Sequence, residues 1–132
     1  MKTVIFACVH NAGRSQMAAA WLRALGHPAR VTVVSAGTEP GPHVHPVVVD
    51  AMREVGIDVA DAQPQKLTDA LVARTDYLIT MGCGEACPVA PPHVVRLDWP
   101  LEDPKGKPVE RVREIRDDVR ARVVALIAEN GW

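Results

Sequence analysis

The sequence predicts an α/β fold built on an open, four-stranded parallel sheet with helices on both faces. Three observations lead there. Apolar runs rich in β-favouring residues recur at 2–7, 31–36, 76–81 and 93–97. Helix-forming stretches, not hairpin turns, separate most of them, and strands that alternate with helices become parallel neighbours. The chain of 132 residues, 48% hydrophobic and 23% charged, has the size and composition of one soluble domain over residues 1–132.

The first strand, at 2–7, runs into Cys8-Val9-His10-Asn11-Ala12-Gly13-Arg14-Ser15. Strong helix formers follow from Gln16 to Leu25 and stop at Gly26. The second strand, 31–36, is closed by Gly37. The segment 37–46 holds Pro40, Pro42 and Pro46 and reads as a loop. His43 and His45 lie in it and can serve as ligands, caps or solvent-facing residues. Apolar residues at Val48, Met52 and Val55 predict an amphipathic helix over 47–55, ended by Gly56. Residues 58–66 are polar and irregular, and 67–73 is a short helix with Thr68 near its start.

The third strand, 76–81, leads directly to Gly82 and the pair Cys83 and Cys87. After the fourth strand, 93–97, comes an acidic loop over 98–107 that is rich in proline. A long helix from Pro108 to about Glu129 completes the chain. Its apolar stripe includes Val109, Val112, Ile115, Val119, Val123, Leu126 and Ile127, and its charges read as a solvated face.

Composition narrows the function. A net charge of −1 gives no reason to expect nucleic acid or an anionic membrane as partner. Three cysteines, an odd number, argue against a secreted disulfide framework. The N-terminal apolar run is too short for a signal peptide, and no stretch approaches a membrane span. A cytoplasmic location is expected, and nothing in the sequence demands more than a monomer.

The chemistry concentrates at 8–15. A cysteine leaves a strand, a short turn follows, and an Arg-Ser pair opens a helix. Backbone N–H groups of such a turn point inward, and a helix N-terminus adds about half a positive charge. Val9, His10, Asn11, Ala12, Gly13, Arg14 and Ser15 therefore form a candidate cradle for a tetrahedral oxyanion. Arg14 can grip two of its oxygens with a planar fork. The same field favours the anionic form of the Cys8 sulfur, to which Ser15 can hydrogen-bond. In open α/β sheets ligands sit at the carboxyl ends of strands. Cys8, Cys83 and the acidic loop all arrive at that edge if the first and third strands are neighbours.

Cys83 and Cys87 are four residues apart, which on a helical turn separates their Cβ atoms by about 5–6 Å. A disulfide prefers a Cβ separation nearer ~3.8 Å. Gly82 and Gly84 give that stretch conformational freedom, and Pro88 limits helical continuation. Three readings stay open: two inert buried cysteines, a zinc site with two histidines, or a redox pair that draws oxidation away from Cys8.

The run from Cys8 to Ala18 resembles the phosphatase-type loop of arsenate reductases related to low-molecular-weight tyrosine phosphatases. Ser35-Ala36-Gly37-Thr38, the Cys83/Cys87 pair followed by Pro88, and Asp103-Pro104 match as well, so the resemblance covers nearly the whole chain. It implies the strand order 2-1-3-4 and the thioredoxin-coupled reduction of arsenate to arsenite. It assigns Cys8 the attack on arsenate, Cys83 the attack on Cys8 that releases arsenite, and Cys87 the disulfide presented to thioredoxin. Arg14 binds oxyanion and Asp103 is the general acid. No bound cofactor or metal is implied; electrons come from reduced thioredoxin, and phosphate competes with arsenate.

The chain departs from that pattern in places. His10 stands where the loop often has Gly, and Gly13 where many relatives have a second in-loop cysteine. Ala19 stands where some have a potassium-binding glutamate, so no potassium site is expected. Two other functions remain: a phosphatase working through a cysteinyl-phosphate at Cys8, and a non-catalytic binder holding arsenic or metal on Cys8, Cys83 and Cys87.

Overall fold

The computed structural model describes residues 1–82 and 89–132. Strands β1 (Lys2–Cys8), β2 (Val31–Gly37), β3 (Tyr77–Thr80) and β4 (Val95–Asp98) pair in the order β2-β1-β3-β4, every pair parallel. This is the order that the resemblance implies. It puts β1 beside β3, so Cys8 and Gly82 leave neighbouring strands at the same edge. Pairing runs one residue further along β1 than the apolar run predicts. Cys8 is the last rung and sits opposite Gly37.

The helices are α1 (Arg14–Leu25), α2 (Pro46–Arg53), α3 (Asp69–Ala73) and α4 (Val109–Asn130). Strand residues alternate between faces, and β1 shows what each face meets. Val4, Phe6 and Cys8 join Met17 and Leu22 of α1, Val48 and Met52 of α2, and Val112, Ile115, Val119 and Val123 of α4. Ile5 and Ala7 join Ala36, Leu67, Val72 of α3, Leu78 and Val94 on the other side. Both faces are covered, which is why the strands are continuous apolar runs. Each fully buried Val, Leu, Ile, Phe or Met among them contributes about 1.5–3 kcal/mol.

The helices differ from the sequence reading in several places. Pro46 opens α2 at its first turn, where a missing N–H costs nothing. The helix expected over 67–73 begins only at Asp69, because Thr68 is its cap: the Thr68 hydroxyl accepts the Leu71 N–H at 3.1 Å. Leu67 is packed in the core beneath it. The charged face of α4 is not wholly solvated either. Arg116 is buried and donates to the Ala51 carbonyl at 2.8 Å and to Glu54 Oε1 at 2.9 Å, tying α4 to α2. Among the described residues no helix is long and apolar enough to cross a membrane.

Candidate active site

Residues 8–15 turn from β1 into α1 at the carboxyl edge of the sheet, and their shape follows from where their polar groups go. The carbonyls all point outward to donors. Those of Cys8, Val9, His10 and Ala12 accept the N–H groups of Thr38, Glu39, Gly41 and His45, at 3.1, 2.8, 2.9 and 2.9 Å. The Asn11 carbonyl takes the Gln16 side chain at 3.0 Å, and that of Gly13 takes the Met17 N–H at 3.0 Å. No acceptor among the described residues takes up the N–H groups of 9–15. With the carbonyls engaged, the N–H groups of the loop are left as donors for an anion beside the N-terminus of α1.

Asn11 fixes the turn. Its φ of 51° is left-handed, a conformation asparagine tolerates better than most residues. Its side-chain oxygen accepts the Gln65 backbone N–H at 3.0 Å and the Gln16 amide at 3.3 Å. Its amide nitrogen donates to Ser15 Oγ at 2.7 Å. Ser15 Oγ lies 2.9 Å from Cys8 Sγ. Cys8 is 2% exposed and Ser15 fully buried, so solvent does not compete for this chain of bonds.

Arg14 is 7% exposed and held in place. Nη1 donates to the Leu101 carbonyl at 3.3 Å, and Nη2 lies 3.7 Å from Asp103 Oδ2. Asp98 at the end of β4 and the two loop acids Glu102 and Asp103 separate by partner. Asp98 accepts from Thr80 Oγ1 and pairs with Arg96, both lowering its pKa. Glu102 is engaged by Arg111 and Lys107. Asp103 alone faces the cradle. It does not cap α4, whose N-cap is Pro108; it accepts the Lys105 N–H at 3.0 Å in its own turn.

The adjoining histidines are rim residues. His10 Nδ1 meets the Glu39 carbonyl at 3.0 Å, and His43 is exposed. His45 precedes α2 with its ring against Gly13. Burial lowers its pKa below 6.5, outweighing the attraction of Asp103. The shift disfavours its charged form, and the guanidinium of Arg14 is the cation enclosed in the loop wall. A Cβ on Gly13 would come 2.7 Å from Pro104 Cγ, so the loop that carries Asp103 closes this position to a side chain.

Cys83 and Cys87 lie outside the described residues. Among the described residues no group of His, Cys, Asp and Glu converges as a metal site. Gln65 and the Leu101 carbonyl join the site without having been legible in sequence, because they act through long-range hydrogen bonds that carry no local signature; Gln16 joins it too, through its side-chain bonds to Asn11. Gly82 reads in sequence as conformational freedom for the cysteines, although a glycine directly after a strand is also a sign of close backbone approach.

Comparison with known proteins gives a consistent picture. The family model of low molecular weight phosphotyrosine protein phosphatases matches residues 3–130. An arsenate reductase of Brevibacillus brevis is 39% identical over 134 residues, covering 98% of this chain and 96% of that protein. The structure of a Corynebacterium glutamicum thioredoxin-dependent arsenate reductase superposes with a TM-score of 0.86 at 40% identity. It covers 99% of this chain, which spans 62% of that protein's length. An arsenate reductase solved in its phosphate-binding state gives a TM-score of 0.85 at 36% identity, covering 98% of this chain and 99% of that one.

Proposed function

The chain belongs to the low-molecular-weight phosphotyrosine protein phosphatase family, and from that premise we propose that it reduces arsenate to arsenite and is recycled by thioredoxin. The observation that carries this reading is the Cys8 sulfur at 2.9 Å from Ser15 Oγ, on the floor of an anion-binding loop, in a chain with two further cysteines. Named arsenate reductases among its relatives support the same substrate.

Arsenate fits the ring of N–H donors and the Arg14 fork. The Cys8 thiolate attacks arsenic, and one arsenic oxygen leaves as water after Asp103 supplies a proton. The Cys83 thiolate then attacks the Cys8 sulfur. The S–As bond breaks with its electron pair passing to arsenic, which departs as arsenite, and Cys8 and Cys83 are left oxidised as a disulfide. Cys87 displaces Cys8 from Cys83, and thioredoxin reduces the resulting Cys83–Cys87 bond while becoming oxidised itself. Closure of the Gly13 position by Pro104 supports a resolving cysteine from outside the loop. Phosphate has the same shape and charge and competes for the cradle.

A phosphatase acting through a cysteinyl-phosphate is the second reading, favoured by the family model itself. Against an aromatic substrate stands the placement of the chain's own aromatics. Phe6 and Trp99 pack 5.7 Å apart in the core, and Tyr77 meets Trp132 edge-on at 5.0 Å. Trp21 is buried beneath Arg120. With one Phe, one Tyr and three Trp in the chain, none is left to stack on a phosphotyrosine ring.

The test supplies arsenate, thioredoxin, thioredoxin reductase and NADPH. One arsenite released per NADPH consumed is the expected result. Absence of arsenite together with turnover of an aryl phosphate would replace the reductase reading with the phosphatase one.

A further inference from the structure

Gly82 follows β3 after one residue, Met81, with a φ of +95°, in the region that side chains disfavour. Its backbone passes directly against the Arg14 guanidinium. A Cβ built there would overlap Nη1 and come within 3.4 Å of Cζ. The same Nη1 donates to the Leu101 carbonyl at 3.3 Å, and Nη2 lies 3.7 Å from Asp103 Oδ2.

The Gly82 backbone cannot easily retreat, so a side chain there displaces the guanidinium instead. Met81 is fully buried, and its N–H donates to the Ala7 carbonyl at 2.7 Å, which anchors the backbone one residue before Gly82. Arg14 is the first residue of α1, and its side chain is enclosed.

We propose that Gly82 is a positioning residue for oxyanion binding: its missing side chain is what lets the Arg14 fork lie in register with the N–H groups of the loop. The inference rests on the reading of Arg14 as the oxyanion grip. It also sets Gly82, the residue before Cys83 in sequence, on the wall of the oxyanion site. A methyl at position 82 forces the guanidinium outward, and a misplacement of about 1 Å at a reacting centre can cost about 100-fold.

The test measures inorganic phosphate binding, read as protection of Cys8 from iodoacetamide and followed by mass spectrometry. Wild type is compared with Gly82→Ala, Gly131→Ala and Arg14→Ala. Gly131 has a φ of +71°, and a methyl placed there would meet nothing within 4 Å, so its substitution carries backbone strain without touching Arg14. Gly82→Ala is expected to weaken phosphate binding by about 10- to 100-fold, and Gly131→Ala to leave it unchanged. If Arg14→Ala weakens phosphate but Gly82→Ala binds as wild type does, the positioning role is wrong and the Arg14 reading stands. If Arg14→Ala has no effect, the grip itself is wrong, and the positioning role falls with it. Should Gly82→Ala fold poorly, the Arg14→Ala/Gly82→Ala double variant decides. Removing the guanidinium makes room for the methyl, so the added loss of thermal stability should shrink; an equal loss in both backgrounds overturns the proposal.

Discussion

The Ser15 hydroxyl lies 2.9 Å from the Cys8 sulfur while accepting the Asn11 amide at 2.7 Å. An ionised Cys8 has no proton to give, so in that state the hydroxyl is the donor to sulfur. In the proposed mechanism Ser15 then donates to the thiolate that attacks arsenic, and again to the sulfur displaced from Cys83 when Cys87 resolves the disulfide. Ser15→Ala should lower kcat/KM for arsenate by roughly 10- to 100-fold, the range expected for a hydrogen bond to a charged group. The rate of Cys8 alkylation at pH 7 should fall with it. Unchanged values for both would remove the hydroxyl from the chemistry.

Arg14→Lys keeps the charge but not the fork. An ammonium cannot reach the Leu101 carbonyl, the Asp103 side and two oxyanion oxygens in one plane. The expected loss in kcat/KM is about 10²–10³-fold, the magnitude of losing a preorganised oxyanion donor. Near wild-type turnover in this variant would show that loop N–H groups alone hold the substrate.

Much of this site is legible in sequence because its parts are neighbours in the chain. Strand, turn and helix N-terminus are consecutive, so Cys8, Arg14 and Ser15 reach one cradle by local geometry alone. What decides between Asp98, Glu102 and Asp103 is not local. Asp98 is held by Thr80 from the adjacent strand, and Glu102 by Arg111 from α4, leaving Asp103 toward Arg14. Arg116 was hidden for a related reason. Helical periodicity separates apolar from polar positions, but it cannot see that Glu54 of the α2 C-cap and the Ala51 carbonyl make a charged residue burial-tolerant.

The three acids make different predictions. Asp103→Asn should reduce kcat by about 10²–10⁴-fold, the usual contribution of a positioned general acid. Asp98→Asn and Glu102→Gln should leave kcat within a few-fold of wild type, because each removes a bond to Thr80 or Arg111 and none to the cradle. Steady-state arsenite release in the three variants measures the difference. An equal loss in all three would assign the effect to loop structure.

Glu54 links stability to pH. Hydrogen bonds from Arg113 foremost, and then from Arg116, hold its pKa at about 2, against an ordinary 4.5. A carboxylate with a depressed folded-state pKa contributes stability above its unfolded value, and that stability is lost as pH falls from 4.5 toward 2. Glu54→Gln should therefore melt at lower temperature than wild type at pH 7, with the gap closing across that acid window. A gap independent of pH would mean that the ion pairs with Arg113 and Arg116 are not its cause.

The relay makes the sharpest prediction, since it orders three cysteines in time. In Cys87→Ser, Cys8 and Cys83 remain, so the first attack and the arsenite-releasing disulfide still form. What is missing is the transfer that frees Cys8 and presents a disulfide to thioredoxin. This variant should release about one arsenite per chain in a burst and then stall. Cys83→Ser should fail a step earlier, with little arsenite even in the first turnover, because Gly13 leaves the loop with no second thiol and Pro104 closes that position. Peptide mapping of the stalled Cys87→Ser protein should find Cys8 linked to Cys83. If both variants instead keep the same large fraction of steady-state rate, the two downstream cysteines are packing residues, and Cys8 must be resolved by a thiol from another molecule.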